Sequence, residues 1–168
     1  MENIYMRKAN LDDCIKLSEL KKQVWSTTYN DIYPEKKLRE FDIEKNSEKF
    51  KNIINNPDIN LFALCCDNNI IGYMSCGSLY KPFKDYKQEI GLLYILQEYK
   101  GLGLGKQLFL KAFDIIKNKG YKEFIISCNK YNFNAQKFYK KMGGEEIHTD
   151  EDNEDKSMPQ IVFLYKIK

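Results

Sequence analysis

Histidine is almost missing from this chain, since His148 is the only one among 168 residues. Protein zinc sites use histidines, cysteines and carboxylates at short, regular spacings, and no such spacing is present. No acidic or nucleophilic residue lies at a spacing from His148 that would indicate a catalytic pair, which argues against an acyl-enzyme mechanism with a cysteine–histidine pair. We therefore expect no metal ion and no nucleophilic side chain. The cysteines are Cys14, Cys65, Cys66, Cys76 and Cys128.

Long apolar runs and a strong excess of one charge are missing as well. No apolar run approaches the about 18 residues that a membrane-spanning helix needs. The 27 basic and 24 acidic residues are interspersed and leave a net charge of +3, so the charge pattern calls for neither nucleic acid nor a membrane surface. The first residues lack the basic segment and apolar run of a signal peptide, and the odd number of cysteines argues against a disulfide framework. We expect a cytoplasmic protein.

Linkers and internal repeats are also absent, and 168 residues suit one domain with one hydrophobic core, so we expect a single domain over residues 1–168. The apolar periodicity predicts helices at residues 10–27, 35–41, 47–54, 104–119 and 133–142. It predicts strands at residues 3–8, 61–66, 70–78, 89–96, 124–128, 145–149 and 161–167. The strands at 61–96 form an antiparallel meander, and the last two form a hairpin joined by a solvated acidic loop at residues 150–155. The fold class is therefore α/β.

The most informative stretch is a glycine-rich loop between a predicted strand and a predicted helix. Gly101, Gly103 and Gly105 alternate with leucines, so the main chain can bend tightly and approach a ligand without a Cβ in the way. The first helical amides point outward with a partial positive charge, and Lys100 and Lys106 add full charges at the two ends of the loop. The pattern predicts a phosphate or pyrophosphate site.

Two familiar phosphate loops do not match this stretch. A dinucleotide-binding fingerprint would need a third glycine at Lys106, and a P-loop would need a glycine at Lys100 and Ser or Thr at Gln107. The spacing Lys100-x-x-Gly103-x-Gly105 instead resembles the Arg/Gln-x-x-Gly-x-Gly/Ala pyrophosphate loop of the GNAT superfamily of N-acetyltransferases. Lysine in place of arginine or glutamine provides a charge but not a bidentate fork.

Two further segments carry the same resemblance. Residues 132–144, NFNAQKFYKKMGG, resemble the second GNAT signature Asn-x-x-Ala-x-x-Phe/Leu-Tyr-x-x-x-Gly-Phe, except that Gly144 stands where phenylalanine is usual. Residues 89–95, EIGLLYI, resemble the strand that leads into the loop. The resemblance covers residues 89–144, whereas residues 1–88 match only in general layout.

The resemblance implies the GNAT fold, a mixed, mostly antiparallel central sheet with a splayed parallel strand pair, flanked by helices. Acetyl-CoA would be the cosubstrate, and its thioester would lie in the wedge between the splayed strands. An unpaired main-chain amide near Ile95 would bind the thioester oxygen, although Tyr94 and Ile95 also fit a plain core strand. The implied cofactor-binding residues are Tyr94, Ile95, Lys100, Gly101, Leu102, Gly103, Leu104, Gly105, Lys106, Asn132 and Tyr139.

The resemblance also implies two catalytic residues. Tyr139 stands where the family places a tyrosine that protonates the CoA sulfur, and Glu89 stands where many members carry a carboxylate that removes the ammonium proton, often through water. Each residue has a simpler interpretation: Tyr139 as a core-packed helix residue and Glu89 as an exposed strand start. Asn132 would orient the pantetheine arm or cap the helix that follows it.

For the acetyl acceptor, the resemblance points to the segment after the first helix and to the final hairpin. The loop at residues 80–87 and the aromatic residues Trp25, Tyr29 and Tyr33 are found at those positions. These rings either fill the core or line a cleft that holds a cationic amine by cation–π contact. The acceptor expected on the second interpretation is a compact cation, polyamine-like or a peptide amino terminus. A homodimer is left open.

The function predicted from the sequence is N-acetylation of a primary amine by direct attack on acetyl-CoA in a ternary complex. One alternative is an acyl-CoA-binding regulatory protein of the same fold without catalytic activity. Another is a polyphosphate-binding or nucleotide-binding module that uses the glycine loop differently.

Overall fold

The computed structural model describes residues 2–149 and 159–168, and seven strands in these ranges form one mixed sheet. The strands are β1 (Ile4–Lys8), β2 (Ile59–Cys66), β3 (Asn69–Gly77), β4 (Glu89–Ile95), β5 (Glu123–Asn129), β6 (Glu145–Thr149) and β7 (Gln160–Lys166). The α-helices are α1 (Cys14–Thr28), α2 (Glu35–Arg39), α3 (Ile43–Asn55), α4 (Leu104–Asn118) and α5 (Phe133–Lys141). The acidic loop predicted at residues 150–155 lies outside the described residues.

The strand order in the sheet is β1-β2-β3-β4-β5-β7-β6. All described neighbours are antiparallel except β4 and β5, which run parallel. A short turn at Asp67 joins β2 to β3, with Asp67 in the left-handed region at φ 52°. The mixed, mostly antiparallel sheet with one parallel pair is confirmed.

Helices cover both faces of this sheet. Successive side chains of a strand point to opposite faces, and β3 shows the result. Its Met74 packs in the cluster that contains Leu108 and Ile116 of α4. Its Tyr73 packs in the cluster that contains Leu17 of α1 and Phe50 of α3. All six side chains are at most 2% exposed, so the sheet is the centre of two hydrophobic layers.

Side-chain caps fix where the first helices begin. The predicted cap at Asn10 is confirmed, and it begins a 3-10 turn, Leu11–Asp13, that runs into α1: Asn10 Oδ1 accepts from the Asp12 amide at 2.9 Å, and Asp13 Oδ2 accepts from the Asn10 amide at 2.8 Å. Helix α3 begins earlier than the predicted residue 47, because Asp42 Oδ1 accepts from the Lys45 amide at 2.9 Å and supplies the cap. In the described part of the chain, no helix is long and apolar enough to cross a membrane.

Candidate active site

A cleft of about 1680 Å³ opens between β4 and β5 and continues along the glycine loop and the inner sides of α1 and α5. Most of the predicted site residues line it. They are Trp25, Tyr29, Tyr33, Glu89, Tyr94, Ile95, Lys100, Gly101, Gly103, Gly105, Lys106, Asn132 and Tyr139. Leu102 and Leu104 do not, since the Leu102 side chain is 61% exposed and the Leu104 side chain is buried in the core. The Leu104 side chain is therefore not available to a ligand.

The cleft begins where β4 and β5 stop pairing. These parallel strands are in register at only two positions, Glu89 with Ile125 and Ile90 with Ile126. Beyond them the strands separate, while β4 stays paired with β3 to its end. Residues 91–95 therefore have a strand on one side and the cleft on the other.

A bulge in β4 decides which main-chain amides face the cleft. The register with β3 skips Gly91, and beyond the bulge the Leu96 amide donates to the Ile71 carbonyl on β3 at 2.9 Å. Because main-chain groups of successive strand residues point to alternate sides, the Ile95 amide points away from β3 and toward the gap. This amide is placed to donate to an oxygen on which negative charge develops.

The glycine loop presents bare main chain to the cleft. Gly101 and Gly103 have φ of 80° and 78°, a region that disfavours any side chain, and a Cβ at either residue would meet no heavy atom within 4 Å. Gly103 immediately precedes α4, and its carbonyl accepts from the Gln107 amide at 3.2 Å. The amides of residues 104–106 have no partner within the helix and are free to bind an anion.

Two lysines stand at the ends of this loop. Lys100 and Lys106 both line the cleft. Partial desolvation lowers the pKa of the Lys100 ammonium. A bound anion would favour its charged form again, so Lys100 and a phosphate group would stabilise each other.

Tyr139 lies on the wall of the cleft, on α5. Its side chain is 7% exposed, and its ring packs against Phe163 and Phe138 with centroids 5.9 and 5.6 Å away. Burial raises the pKa of the Tyr139 hydroxyl well above its ordinary value. The hydroxyl therefore stays protonated at neutral pH and remains a proton donor.

Glu89 lies at the start of the gap and is half-buried. Its Oε1 accepts from the Tyr80 amide at 2.8 Å. Burial raises the pKa of the Glu89 carboxyl, and the bond from Tyr80 opposes that change. A Cβ on Gly91 would lie 3.1 Å from Oε1, so the glycine at the bulge also leaves room for the carboxylate. Glu89 is therefore the first residue of its strand, as predicted, but half-buried rather than exposed.

The three aromatic residues predicted for the acceptor come together at the end of α1. Tyr29 and Tyr33 stack with ring centroids 4.2 Å apart, and Trp25 lies edge-on to Tyr33 at 5.1 Å. The Tyr29 hydroxyl lies beside the side chains of Tyr94 and Asn132, which connects this cluster to β4 and to the start of α5. The cluster therefore closes the cleft at one end.

The cation–π role expected for these rings needs correction. Lys37 Nζ lies 4.6 Å from the centroid of Tyr33, whose ring also stacks on Tyr29. Lys21 Nζ lies 5.3 Å from a Trp25 ring centroid, and burial lowers the pKa of Lys21 to about 8. Since the chain's own lysines already lie over these rings, Tyr33 presents no open face to an acceptor in this conformation.

Asn132 has the capping role that its position predicted. Its Oδ1 accepts from the Ala135 amide at 3.2 Å and caps α5. Because Asn132 also lines the cleft, the bond that starts the helix places its amide group at the ligand surface.

Sequence reasoning missed three contributors to the site. Gly91 forms the bulge, and a glycine inside a predicted strand is a known signal for one. The Tyr80 amide holds Glu89, and the Tyr165 hydroxyl donates to the Tyr139 carbonyl at 2.7 Å. Neither contact leaves a mark in the local sequence. Among residues 2–149 and 159–168, no three or more His, Cys, Asp or Glu side chains are placed to hold a metal ion.

Comparison with known proteins agrees with this geometry. Residues 22–144 match the model of the acetyltransferase (GNAT) family. The chain is 31% identical over 153 residues to a spermidine N(1)-acetyltransferase of Thermoplasma acidophilum, covering 88% of this chain and 92% of the relative.

Solved structures share the whole fold. The PaiA N-acetyltransferase of Thermoplasma acidophilum, crystallised with coenzyme A, superposes with a TM-score of 0.80 at 27% identity, covering 98% of this chain and 99% of that one. YncA of Salmonella typhimurium, a protein solved with acetyl-CoA, gives 0.74 at 15% identity, covering 99% and 95%, and supports the fold alone. The chain therefore belongs to the acetyltransferase (GNAT) family and is an acyltransferase.

Proposed function

We propose that this protein transfers the acetyl group of acetyl-CoA to a primary amine of a small molecule or peptide, by direct attack in a ternary complex. The observation that carries the proposal is the gap between β4 and β5. It opens beside an anion-binding helix start, and Glu89 and Tyr139 both stand on its walls. A thioester and an amine can meet there between a proton acceptor and a proton donor.

The cofactor would be held by main chain and charge. Its pyrophosphate would bind the free amides at the start of α4, with Lys100 and Lys106 beside it. Its thioester would lie along residues 91–95, where the Ile95 amide would donate to the carbonyl oxygen. Losing one such donor typically costs about 3 kcal/mol of transition-state stabilisation in acyl transfer.

The chemical steps balance with groups of this chain. Glu89 takes a proton from the substrate ammonium, directly or through water, and the neutral nitrogen attacks the thioester carbon. The new C–N bond forms, the C–S bond breaks, and Tyr139 gives its proton to the departing sulfur. As the amide forms, the nitrogen loses its second proton, which restores the Tyr139 hydroxyl directly or through water, while Glu89 releases its proton to solvent. The products are the acetylated amine and CoA thiol.

Glu89 and the named relative support a compact cationic acceptor. Glu89 is the carboxylate among the described lining residues, and it attracts a positive amine toward the thioester. The Thermoplasma relative is named as a spermidine acetyltransferase, which supports a polyamine-like acceptor. Trp25, Tyr29 and Tyr33 would form the end wall of its site through shape rather than through open π faces.

The test of the whole proposal is release of free thiol from acetyl-CoA when an amine is added. We expect steady release with spermidine and putrescine, weaker release with a peptide amino terminus, and little with glutamate, whose carboxylates Glu89 repels. If no amine supports release although CoA binds, the protein is the silent acyl-CoA-binding alternative. If glutamate is acetylated best, the proposed cationic acceptor is wrong.

Replacing Gly103 tests the cofactor loop. We expect Gly103→Ala to lose at least about tenfold in CoA affinity by calorimetric titration, because a Cβ would enter the space kept open for the pyrophosphate and strain the left-handed backbone by about 1–2 kcal/mol. Gly120→Ala is a matched control. Gly120 follows the same helix at φ 87°, a Cβ there meets nothing within 4 Å, and it lies outside the cleft lining. Equal CoA affinity in both variants would show that the loop is only a turn.

Replacing Tyr139 by phenylalanine tests the proton donor. We expect kcat to fall about a hundredfold while acetyl-CoA affinity stays within about twofold, because only the donated proton is lost. Tyr121→Phe serves as the control, since Tyr121 is exposed and lies outside the cleft lining. Full activity of the Tyr139→Phe protein would leave water as the donor and Tyr139 as a packing residue.

The pH profile tests the base. Glu89 must be ionised to accept a proton, so kcat should fall as the pH drops through its pKa, which burial places above that of an ordinary glutamate at about 4.3. In Glu89→Gln we expect a loss of about a hundredfold at neutral pH and no acid limb from this group. Glu123→Gln is the matched control, because Glu123 is the exposed first residue of the neighbouring strand β5. An unchanged acid limb in Glu89→Gln would assign the limb to another group.

A further inference from the structure

Gly144 stands where the family signature has phenylalanine, and the structure shows what takes the space. A Cβ on Gly144 would lie 2.7 Å from the Tyr165 hydroxyl oxygen, 2.8 Å from Tyr165 Cζ and 2.9 Å from the Tyr139 carbonyl oxygen. These approaches are too short for any side chain. Where the signature has a phenylalanine side chain, this chain therefore has Gly144, and Tyr165 of the distant strand β7 occupies the space.

Tyr165 is rigidly held in this place. It lies in β7 opposite Phe124 of β5, and its ring stacks on Phe124 with centroids 4.9 Å apart and planes 5° from parallel. The Phe109 ring of α4 lies 5.1 Å from it, and Tyr165 is only 3% exposed. Its hydroxyl is therefore held in a fixed position where the sheet meets α5.

The group that Tyr165 holds is the main chain of the proposed proton donor. Its hydroxyl donates to the Tyr139 carbonyl at 2.7 Å, and the Gly144 amide donates to the same oxygen at 3.0 Å. The last turn of α5 is thus tied to the sheet at the residue whose side chain lines the cleft. Tyr165 itself does not line the cleft, so any influence on the reaction passes through Tyr139.

We propose that Tyr165 is a positioning residue for Tyr139, and that residue 144 is glycine because the Tyr165 hydroxyl occupies the space that a side chain there would need. The inference rests on the proposed role of Tyr139 as proton donor. Proton transfer needs donor and acceptor about 2.6–3.2 Å apart, and a misplacement of about 1 Å can cost a hundredfold in rate. A hydrogen bond to the main chain of Tyr139 is a direct way to set that distance.

The test compares Tyr165→Phe, Tyr139→Phe and the double variant with the unaltered protein. Tyr165→Phe keeps the ring and its stack on Phe124 and removes only the hydroxyl. We expect its kcat to fall by about ten- to a hundredfold with KM for acetyl-CoA within about twofold. In the Tyr139→Phe background the same substitution should change kcat by less than about twofold, because the donor whose position it sets is gone.

Tyr73→Phe is the control for loss of a buried hydroxyl. Tyr73 is fully buried, its hydroxyl has no hydrogen-bond partner among the described residues, and it lies outside the cleft lining. We expect its kcat to stay unchanged. An unchanged kcat in Tyr165→Phe, or an equal loss in the presence and absence of the Tyr139 hydroxyl, would overturn the inference.

A measurement that needs no activity separates this inference from the proposed function. Hydrogen exchange of the Gly144 amide, followed by NMR in the free protein, should be at least about tenfold faster in Tyr165→Phe and unchanged in Tyr73→Phe. If no amine is acetylated, or if Tyr139→Phe is fully active, the proposed chemistry fails while this readout still decides whether Tyr165 holds the end of α5. Unchanged exchange of Gly144 would overturn the positioning role in every case.

Discussion

The site depends on an interruption of main-chain hydrogen bonding between β4 and β5. Buried main-chain groups left without partners cost about 1–3 kcal/mol each, so such a gap needs support from elsewhere. Each strand has that support on its other side, where β4 pairs with β3 and β5 pairs with β7 along its whole length. Each half of the sheet keeps its own strand pairing, so β4 and β5 can diverge without loss of hydrogen bonds elsewhere in the sheet.

Gly91 determines which main-chain amides face this gap. By adding one residue to β4, the bulge reverses which amides face β3, and the Ile95 amide turns toward the gap. The missing side chain also leaves room for the Glu89 carboxylate. One glycine thus affects both the proposed donor for the thioester oxygen and the proposed acceptor of the amine's proton, which is why a substitution at Gly91 would disturb both.

The parts of the fold that could be predicted from the sequence are those encoded locally. The glycine loop, the cap at Asn10 and the hairpin turn at Asp67 each depend on residues a few positions apart, and the periodicity of the segments between them reports burial. The contact of Tyr165 with Tyr139 joins residues 26 apart on different elements, and no local pattern reveals it. The same reason explains Tyr33: its spacing predicted the cluster, but the position of Lys37 over its ring is a tertiary fact.

Burial acts on the two proposed catalytic groups in the same direction but with different consequences. It raises the pKa of Tyr139, a change that keeps the hydroxyl protonated until sulfur departs but also makes it a weaker acid. It also raises the pKa of Glu89, a change that works against a base, because a base must be ionised before the amine arrives. The Tyr80 amide offsets that effect, since its hydrogen bond at 2.8 Å favours the ionised carboxylate. A cleft dry enough to keep Tyr139 protonated therefore needs a main-chain donor at Glu89, and the loop after β3 supplies it.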